Sequence, residues 1–253
     1  MNRLNFFIVT YDRLYDKAIE NLTSSELDHI TCYNVQKKIP KQISSLVKNQ
    51  INEWELPWNL YDFQKKQVYE YGTIVHLYKN KNLLEGITHV GILHYDVYFN
   101  KSSVSSIQNE ISSNGDVIFY QMLRPKEQLS LSFFEVSKLC EFMSERLGQH
   151  IDPNIPWESG WISESLSVTP KEVFLKFAEF LHDYIDDIEN ILRNNIWNIM
   201  NHCPHRMCGI IERMWGFYLV NQNLPLKQMD IIHDWDSYNH EHMKMNGTGL
   251  QTL

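Results

Sequence analysis

The segment THVGILHYDVYF, residues 88 to 99, carries two side chains suited to binding a cation. Its apolar and β-branched beginning predicts a buried β-strand. Because side chains two residues apart on a strand point the same way, His94 and Asp96 would share one face. An imidazole and a carboxylate are suitable ligands for Mn²⁺ or Mg²⁺, but they fill only part of the coordination shell, so a bound diphosphate would have to supply the rest. The alternative is a simple His–Asp hydrogen bond at the end of a strand.

Strand and helix patterns alternate along the chain, which predicts an α/β fold with helices on both faces of a sheet. Open α/β sheets bind ligands beyond the carboxyl ends of their strands. A first strand is expected over Asn5–Thr10, so Thr10, Tyr11 and Asp12 should lie at the same edge as His94 and Asp96. The other predicted elements are strands over 30–35, 116–121, 165–168 and 226–232, and helices over 59–77, 104–111, 131–147 and 208–220.

A further helix is predicted to begin at the sequence TPKE. Thr169 is expected to be its N-cap and Pro170 its first helical residue, with the helix running to about Tyr184. No internal repeat and no Pro/Gly/Ser-rich linker interrupts the pattern. We therefore expect one domain over residues 1–236, followed by a polar, flexible tail over 237–253.

The composition argues against several classes of function. The chain has 23 basic and 31 acidic residues, a formal net charge of −8, whereas a nucleic-acid-binding surface needs a basic stripe. No apolar run approaches the roughly 20 residues that span a bilayer, and no signal-peptide cleavage site follows the first apolar run. The four cysteines are scattered, which is typical of a reducing compartment. We expect a cytoplasmic protein with no membrane span and no nucleic-acid partner.

Residues 69 to 99 resemble a region of glycosyltransferases that occur in capsular-polysaccharide loci and in large viruses of algae. The pattern of that family is roughly Glu-x-Thr, then an aromatic residue with Lys-Asn, then Gly-x-x-His-Tyr-Arg-Arg-Tyr-Phe. Two further segments, SESLSVTPKEVFLKFAEFL and RMCGIIERMWGFYL, resemble later parts of the family, and the resemblance touches about half of the chain. The matching residues in the first segment are Glu70, Thr73 (one position late), Tyr78, Lys79, Asn80, Gly91, His94, Tyr95, Tyr98 and Phe99.

The resemblance implies a GT-A-like fold, which is a Rossmann-like, mostly parallel central sheet flanked by helices in a single domain. Where the family pattern has Arg-Arg, this chain has Asp96-Val97, so His94-Tyr95-Asp96 looks like the Asp-x-Asp metal motif with its first carboxylate replaced by His. A late His completes the metal shell in some GT-A enzymes, and His233 stands in that position, with Asp234 as a competitor. The metal ligands implied are therefore Asp96, His94 and His233, binding Mn²⁺ or Mg²⁺.

The resemblance also implies where the donor binds. GT-A enzymes receive the nucleotide base after the first strand, so Tyr11 would stack on uracil and Asp12 would accept its imide N–H. The alternative for these two residues is a turn aromatic and a cap. Trp161 and its neighbour Trp157 would stack on a sugar face, or simply pack within their loop. The donor-binding candidates are Thr10, Tyr11, Asp12, Tyr95 and Trp161.

An inverting glycosyl transfer needs a carboxylate that takes the proton of the acceptor hydroxyl. Glu212 is the first candidate, because its helix follows the acceptor-side strand in the family, and Glu158 is the second. The alternative for Glu212 is a structural ion pair. A zinc site in the segment HCPHRMC, residues 202 to 208, is not favoured, because zinc sites usually combine two separated ligand pairs.

The sequence therefore predicts a metal-dependent glycosyltransferase that moves a sugar from a nucleotide-diphosphate donor, most simply a UDP-sugar, to a glycan or other hydroxyl acceptor. Two alternatives stay open. A sugar-phosphate nucleotidyltransferase would need a Gly-rich basic loop after the first strand, and TYDRLYD lacks glycine. A non-catalytic carbohydrate-binding protein on a degenerate transferase fold would explain the loss of the first Asp of the motif.

Overall fold

The computed structural model describes residues 3–10, 14, 16–35, 44–57, 70–163, 166–193 and 206–233. Tyr11, Asp12, Asp234 and the predicted tail over 237–253 lie outside these ranges. The strands are β1 Leu4–Thr10, β2 Ile30–Asn34, β3 Asn49–Asn52, β4 His89–His94, β5 Val97–Phe99, β6 Ile118–Tyr120, β7 Leu123–Arg124, β8 Trp161–Ile162, β9 Ser167–Pro170, β10 Leu226–Gln228 and β11 Ile231–His233.

A seven-stranded sheet with the order β10-β6-β9-β4-β1-β2-β3 forms the centre of the fold. The pairs β1–β2, β1–β4, β2–β3 and β10–β6 are parallel, while β9 is antiparallel to both β4 and β6. The predicted α/β fold with a mostly parallel central sheet is therefore confirmed. β4, which ends at His94, is the fourth of the seven strands, as the buried character of its residues predicts.

Helices cover both faces of this sheet. β1 shows how the sequence produces the two faces: Phe7 and Val9 point into one hydrophobic core, whereas Leu4, Phe6 and Ile8 point into the other. This alternation follows from the two-residue period of a strand. The helices are α1 Ser24–Leu27, α2 Glu70–Lys79, α3 Ser103–Asn114, α4 Phe133–Leu147, α5 Lys171–Arg193 and α6 Arg206–Val220.

Two glycines permit close approaches in the sheet and behind it. A Cβ added to Gly91 in β4 would lie 2.5 Å from Cδ1 of Phe6, whose ring packs over that strand. A Cβ added to Gly216 in α6 would overlap the carbonyl oxygen of Ile162, so α6 lies directly against β8. Glycine is required at such positions because its neighbours occupy the space of a side chain.

Several predicted elements have different boundaries in the structure. Thr169 and Pro170 belong to β9, where Pro170 pairs with His89, so the predicted N-cap at Thr169 is wrong and α5 begins at Lys171. α5 continues to Arg193, but Tyr184, the predicted end, has non-helical backbone angles that mark a kink. The predicted strand over 226–232 is two short strands: β10 pairs with β6, and β11 pairs with β5.

Within the described ranges, no helix combines the length and the apolar character that crossing a bilayer requires. The cysteines in these ranges form no disulfide.

Candidate functional site

The two proposed cation ligands meet at the carboxyl end of β4, but not in the way that strand periodicity predicts. β4 ends at His94, Tyr95 and Asp96 form a turn, and β5 begins at Val97. The prediction of one unbroken strand over 88–99 is therefore wrong. Nevertheless, the turn brings Nδ1 of His94 to 3.9 Å from Oδ1 of Asp96.

Burial differs between these two side chains. The carboxylate of Asp96 is fully covered, whereas 20% of the His94 side chain is exposed to solvent. A buried charge is costly unless it is paired or binds a cation, so the position of Asp96 needs compensating partners. Tyr95, between them, is half-buried in the turn.

Glu70 provides a second carboxylate beside His94. It lies on α2, and its Oε1 is 3.4 Å from Nε2 of His94, with 14% of the Glu70 side chain exposed. Burial alone would raise the pKa of Glu70, but the nearby His94, together with hydrogen bonds from His94, the Glu70 backbone and Cys208, holds that pKa below its ordinary value. The sequence reasoning matched Glu70 to the family pattern but gave it no role, because nothing in its spacing indicates that it meets His94.

α6 carries Glu212, the proposed base, and contacts Glu70 through Cys208. The thiol of Cys208 lies 3.5 Å from Oε1 of Glu70. α6 is mostly buried, but a stripe of half-buried residues runs along it: Cys208, Gly209, Glu212 and Arg213. Residues four apart lie on the same side of a helix, so Glu212 stands one turn beyond Cys208 on this stripe.

The carboxylate of Glu212 is 23% exposed and lies 3.6 Å from Nη1 of Arg213. The guanidinium of Arg213 is itself fixed, because it donates to the carbonyl oxygens of Leu129 and Gly209, each at 2.7 Å. Glu212 is therefore a partly exposed carboxylate beside an anchored cation. This arrangement is compatible both with the proposed catalytic role and with the structural ion pair that was its alternative.

The backbone of His233 lies close to Asp96. β11 runs antiparallel to β5, and His233 is paired with Val97, the residue after Asp96. Residues paired in this way have Cα atoms about 4.5–5.5 Å apart. The topology thus brings the last predicted ligand to the end of β4 from a distant part of the sequence.

Thr10 also lies at this edge of the sheet. It follows Val9, which is paired with His94, and its hydroxyl donates to the carbonyl oxygen of Tyr33 at 3.5 Å. Thr10 is fully buried, so its position beside the site is set by the core. Tyr11 and Asp12, the proposed base-binding residues, come next and lie outside the described residues.

The loop that precedes β8 carries Glu158, the second candidate base, and Trp157, a candidate for stacking on a sugar. Glu158 is exposed on a single π turn, Ile155–Ser159. Within the described part of the chain, no hydrogen bond or ion pair joins it to His94 or Asp96. Trp157 is half-buried, with its ring 5.3 Å from that of Phe133 and Lys126 Nζ 5.3 Å from its centre.

Trp161 does not occupy the position expected of a sugar platform. It is 1% exposed, its ring packs against Phe217, and the guanidinium of Arg213 lies 5.3 Å from its centre. A ring that is covered in this way offers little surface to a sugar. The physical reason is its place in β8, directly behind which α6 packs.

Among the described residues, no group of three or more His, Cys, Asp or Glu side chains is arranged to hold a metal ion. The described donors are the imidazole of His94 and the buried carboxylate of Asp96. These two fit Mn²⁺ or Mg²⁺ in chemistry, as part of a shell that further ligands complete. Of the cysteine and histidine cluster at 202–208, only Cys208 is described, and its thiol contacts Glu70.

Comparison with known proteins supports the architecture. No family model matches the sequence, and no curated protein matches it either. A solved structure described as apo WbbM, a bifunctional glycosyltransferase, aligns with 93% of this chain at a TM-score of 0.60 and 14% identity, and the alignment covers 46% of that chain. A second structure, S. aureus TarS 1-349, aligns with 90% of this chain and 58% of its own length, at a TM-score of 0.37 and 11% identity. The chain shares the fold of the first structure and spans about half of its length.

Proposed function

We propose that this chain is a glycosyltransferase that moves a sugar from a nucleotide-diphosphate donor, a UDP-sugar, to a hydroxyl acceptor with the help of Mn²⁺ or Mg²⁺. The observation that carries the proposal is the His94–Asp96 pair at the carboxyl end of the central strand. β1 lies between β2 and β4 in the sheet, so the strand order reverses at the β1–β4 pair, whose carboxyl ends carry Thr10 and His94. Open α/β sheets bind nucleotides at such reversals of strand order.

The chemistry of glycosyl transfer explains why these side chains are useful together. A bound divalent cation would stabilise the negative charge that develops on the departing diphosphate. Asp96 and His94 would hold that cation, with His233 as a third candidate. Because the Asp96 carboxylate is fully buried at the turn between β4 and β5, its position would be fixed before the donor arrives, which reduces the cost of reorganisation during the reaction.

The acceptor side of the reaction requires a base if the configuration is inverted. Glu212 would take the proton from the attacking hydroxyl, because it is a partly exposed carboxylate on the stripe of α6 that leads to Glu70. Glu158 is the second candidate, and its exposed turn leaves it accessible to a large acceptor. Of the donor-binding candidates, Thr10 and Tyr95 lie at the edge of the sheet where the nucleotide would bind.

The fold shared with a glycosyltransferase structure supports the proposal at the level of architecture. A carbohydrate-binding protein without catalysis is the competing function, favoured by the presence of His94 where the metal motif has a carboxylate.

A screen of nucleotide sugars tests the proposal against this competitor. The purified protein is incubated with each nucleotide sugar, with Mn²⁺ and with EDTA, and the release of free nucleoside diphosphate is measured. We expect slow hydrolysis of a UDP-sugar with Mn²⁺, faster release when acceptor sugars are added, and neither reaction in EDTA. Binding of glycans without release of nucleotide from any donor would favour the non-catalytic function.

A further inference from the structure

The imidazole of His94 lies between two carboxylates, and each of its ring nitrogens faces one of them. Nε2 is 3.4 Å from Oε1 of Glu70, and Nδ1 is 3.9 Å from Oδ1 of Asp96. The two nitrogens cannot have the same role if His94 binds a cation. One must offer its lone pair to the cation, while the other keeps its proton and donates a hydrogen bond to a neighbouring acceptor.

The surroundings of Glu70 suit its carboxylate to accept that hydrogen bond. It is the first described residue of α2, and its own backbone N–H donates a hydrogen bond to its carboxylate. Its Oε1 is also within reach of the Cys208 thiol, which ties the carboxylate to α6. Glu70 is therefore carried by α2 and also contacts α6, and its Oε1 lies nearer to the His94 imidazole than Oδ1 of Asp96 does.

We propose that Glu70 is a positioning residue that accepts the N–H of His94 Nε2, and thereby turns Nδ1 toward Asp96 as a cation ligand. The inference rests on the proposed function and adds a residue to it. Glu70 acts only through His94: it sets the tautomer and the orientation of the ring. Outer carboxylates of this kind commonly affect metal affinity about 10–100-fold.

The competing role for Glu70 is an ion pair that merely stabilises the contact between α2 and β4. The two roles differ in what they affect. A structural pair changes the melting temperature and leaves the affinity of the folded protein for a cation unaltered, whereas a positioning residue changes that affinity in protein that is still folded.

Titration of Mn²⁺ in the presence of UDP, followed by calorimetry and by the electron paramagnetic resonance signal of free Mn²⁺, distinguishes these roles. We expect Glu70→Ala to weaken Mn²⁺ binding by about 100-fold, and Glu70→Gln by about tenfold, because the amide oxygen still accepts the N–H of His94. The matched control is Glu172→Ala, which removes an exposed first-turn glutamate from α5 and should leave Mn²⁺ affinity unchanged.

Asp96→Asn separates failure of this inference from failure of the proposed function. If Asp96→Asn abolishes Mn²⁺ binding while both Glu70 variants bind it as the wild type does, the positioning role is overturned and the metal site stands. If Glu70→Ala does not fold, Glu70→Gln decides alone, and unchanged affinity in it overturns the inference. If wild-type protein with UDP binds no Mn²⁺, both proposals are overturned.

Discussion

Glu212 is the residue whose removal should affect turnover most selectively. If it takes the acceptor proton, Glu212→Gln should lower kcat by about 10²–10⁴, because the amide cannot act as a base. Donor affinity should change little, since the side chain stands one helical turn beyond Cys208, the residue of α6 that contacts Glu70. Initial rates at saturating donor and calorimetric donor binding measure the two effects. Glu158→Gln is the comparison: wild-type turnover in Glu212→Gln and loss of turnover in Glu158→Gln would move the role to Glu158.

Glu53 should give the protein a pH-dependent stability. It lies fully buried just after β3, and burial raises its pKa to about 8. The ordinary value of about 4.3 applies in the unfolded chain, so between the two values the folded chain holds a proton that the unfolded chain has lost. The contribution of this group to stability is therefore complete at acidic pH and declines as the pH rises toward 8. The slope is at most about 1.4 kcal/mol per pH unit.

Urea unfolding between pH 5 and pH 8.5 tests this, because Glu53→Gln removes the titration and keeps the shape of the side chain. The difference in unfolding free energy between wild type and variant should shift in favour of the variant as the pH rises. Glu55→Gln, an exposed residue in the same turn, should show no such trend. A difference that stays constant with pH would mean that Glu53 is already ionised in the folded protein.

At the residue scale, the sequence predicted part of the geometry of the candidate site. It brought His94 and Asp96 together, although through strand periodicity, whereas a turn is what joins them. It could not find the Glu70–His94 contact, because only the packing of α2 against β4 creates it. It also proposed Trp161 as a donor-binding residue, because the sequence around Trp161 does not indicate that the ring is buried in the structure.

The contact between α6 and β8 is the most sensitive packing of elements near the site. Gly216→Ala would put a methyl group into the carbonyl oxygen of Ile162, and backbone atoms cannot move aside as a flexible side chain can. We expect a loss of about 3 kcal/mol or more in unfolding free energy, at the upper end of overpacking effects. Gly148→Ala is the control, because no atom lies within 4 Å of its added methyl and only a left-handed backbone is strained, at about 1–2 kcal/mol.

Chemical denaturation of both variants measures the difference. Equal losses in the two variants would show that the approach of α6 to β8 is looser than this structure has it.

At the element scale, the sequence predicted most of the strands and helices that build the sheet and its layers. β1, β2, β6, α3, α4 and α6 appear within a few residues of their predicted bounds. The short strands β3, β7 and β8 were not predicted, because two to four residues are too few to show a period. Thr169 and Pro170 carried a strong local signal for a helix start, but antiparallel pairing with β4 places them in a strand.

The whole molecule brings acidic groups together where an anionic donor is proposed to bind. Its net charge is −8, and Glu70 on α2 and Asp96 after β4 both lie close to His94, while Glu212 lies on α6 one turn beyond Cys208. A diphosphate approaching these carboxylates would be repelled unless a cation lies between them. Sequence periodicity alone does not show that β11 pairs with β5, because the two segments are far apart in the chain, and only the family resemblance placed His233 near Asp96.

Metal-dependent binding of UDP tests the central claim most directly. Calorimetry of wild-type protein should show UDP binding that requires Mn²⁺, because the cation links the carboxylate of Asp96 to the diphosphate. Asp96→Asn keeps the shape of this buried side chain and removes its charge, so it should remain folded and lose Mn²⁺-dependent UDP binding. Asp116→Asn, an exposed carboxylate changed in the same way, should bind as the wild type does. If folded Asp96→Asn protein binds UDP with an undiminished response to Mn²⁺, Asp96 is only a structural partner of His94, and the account of this site is wrong.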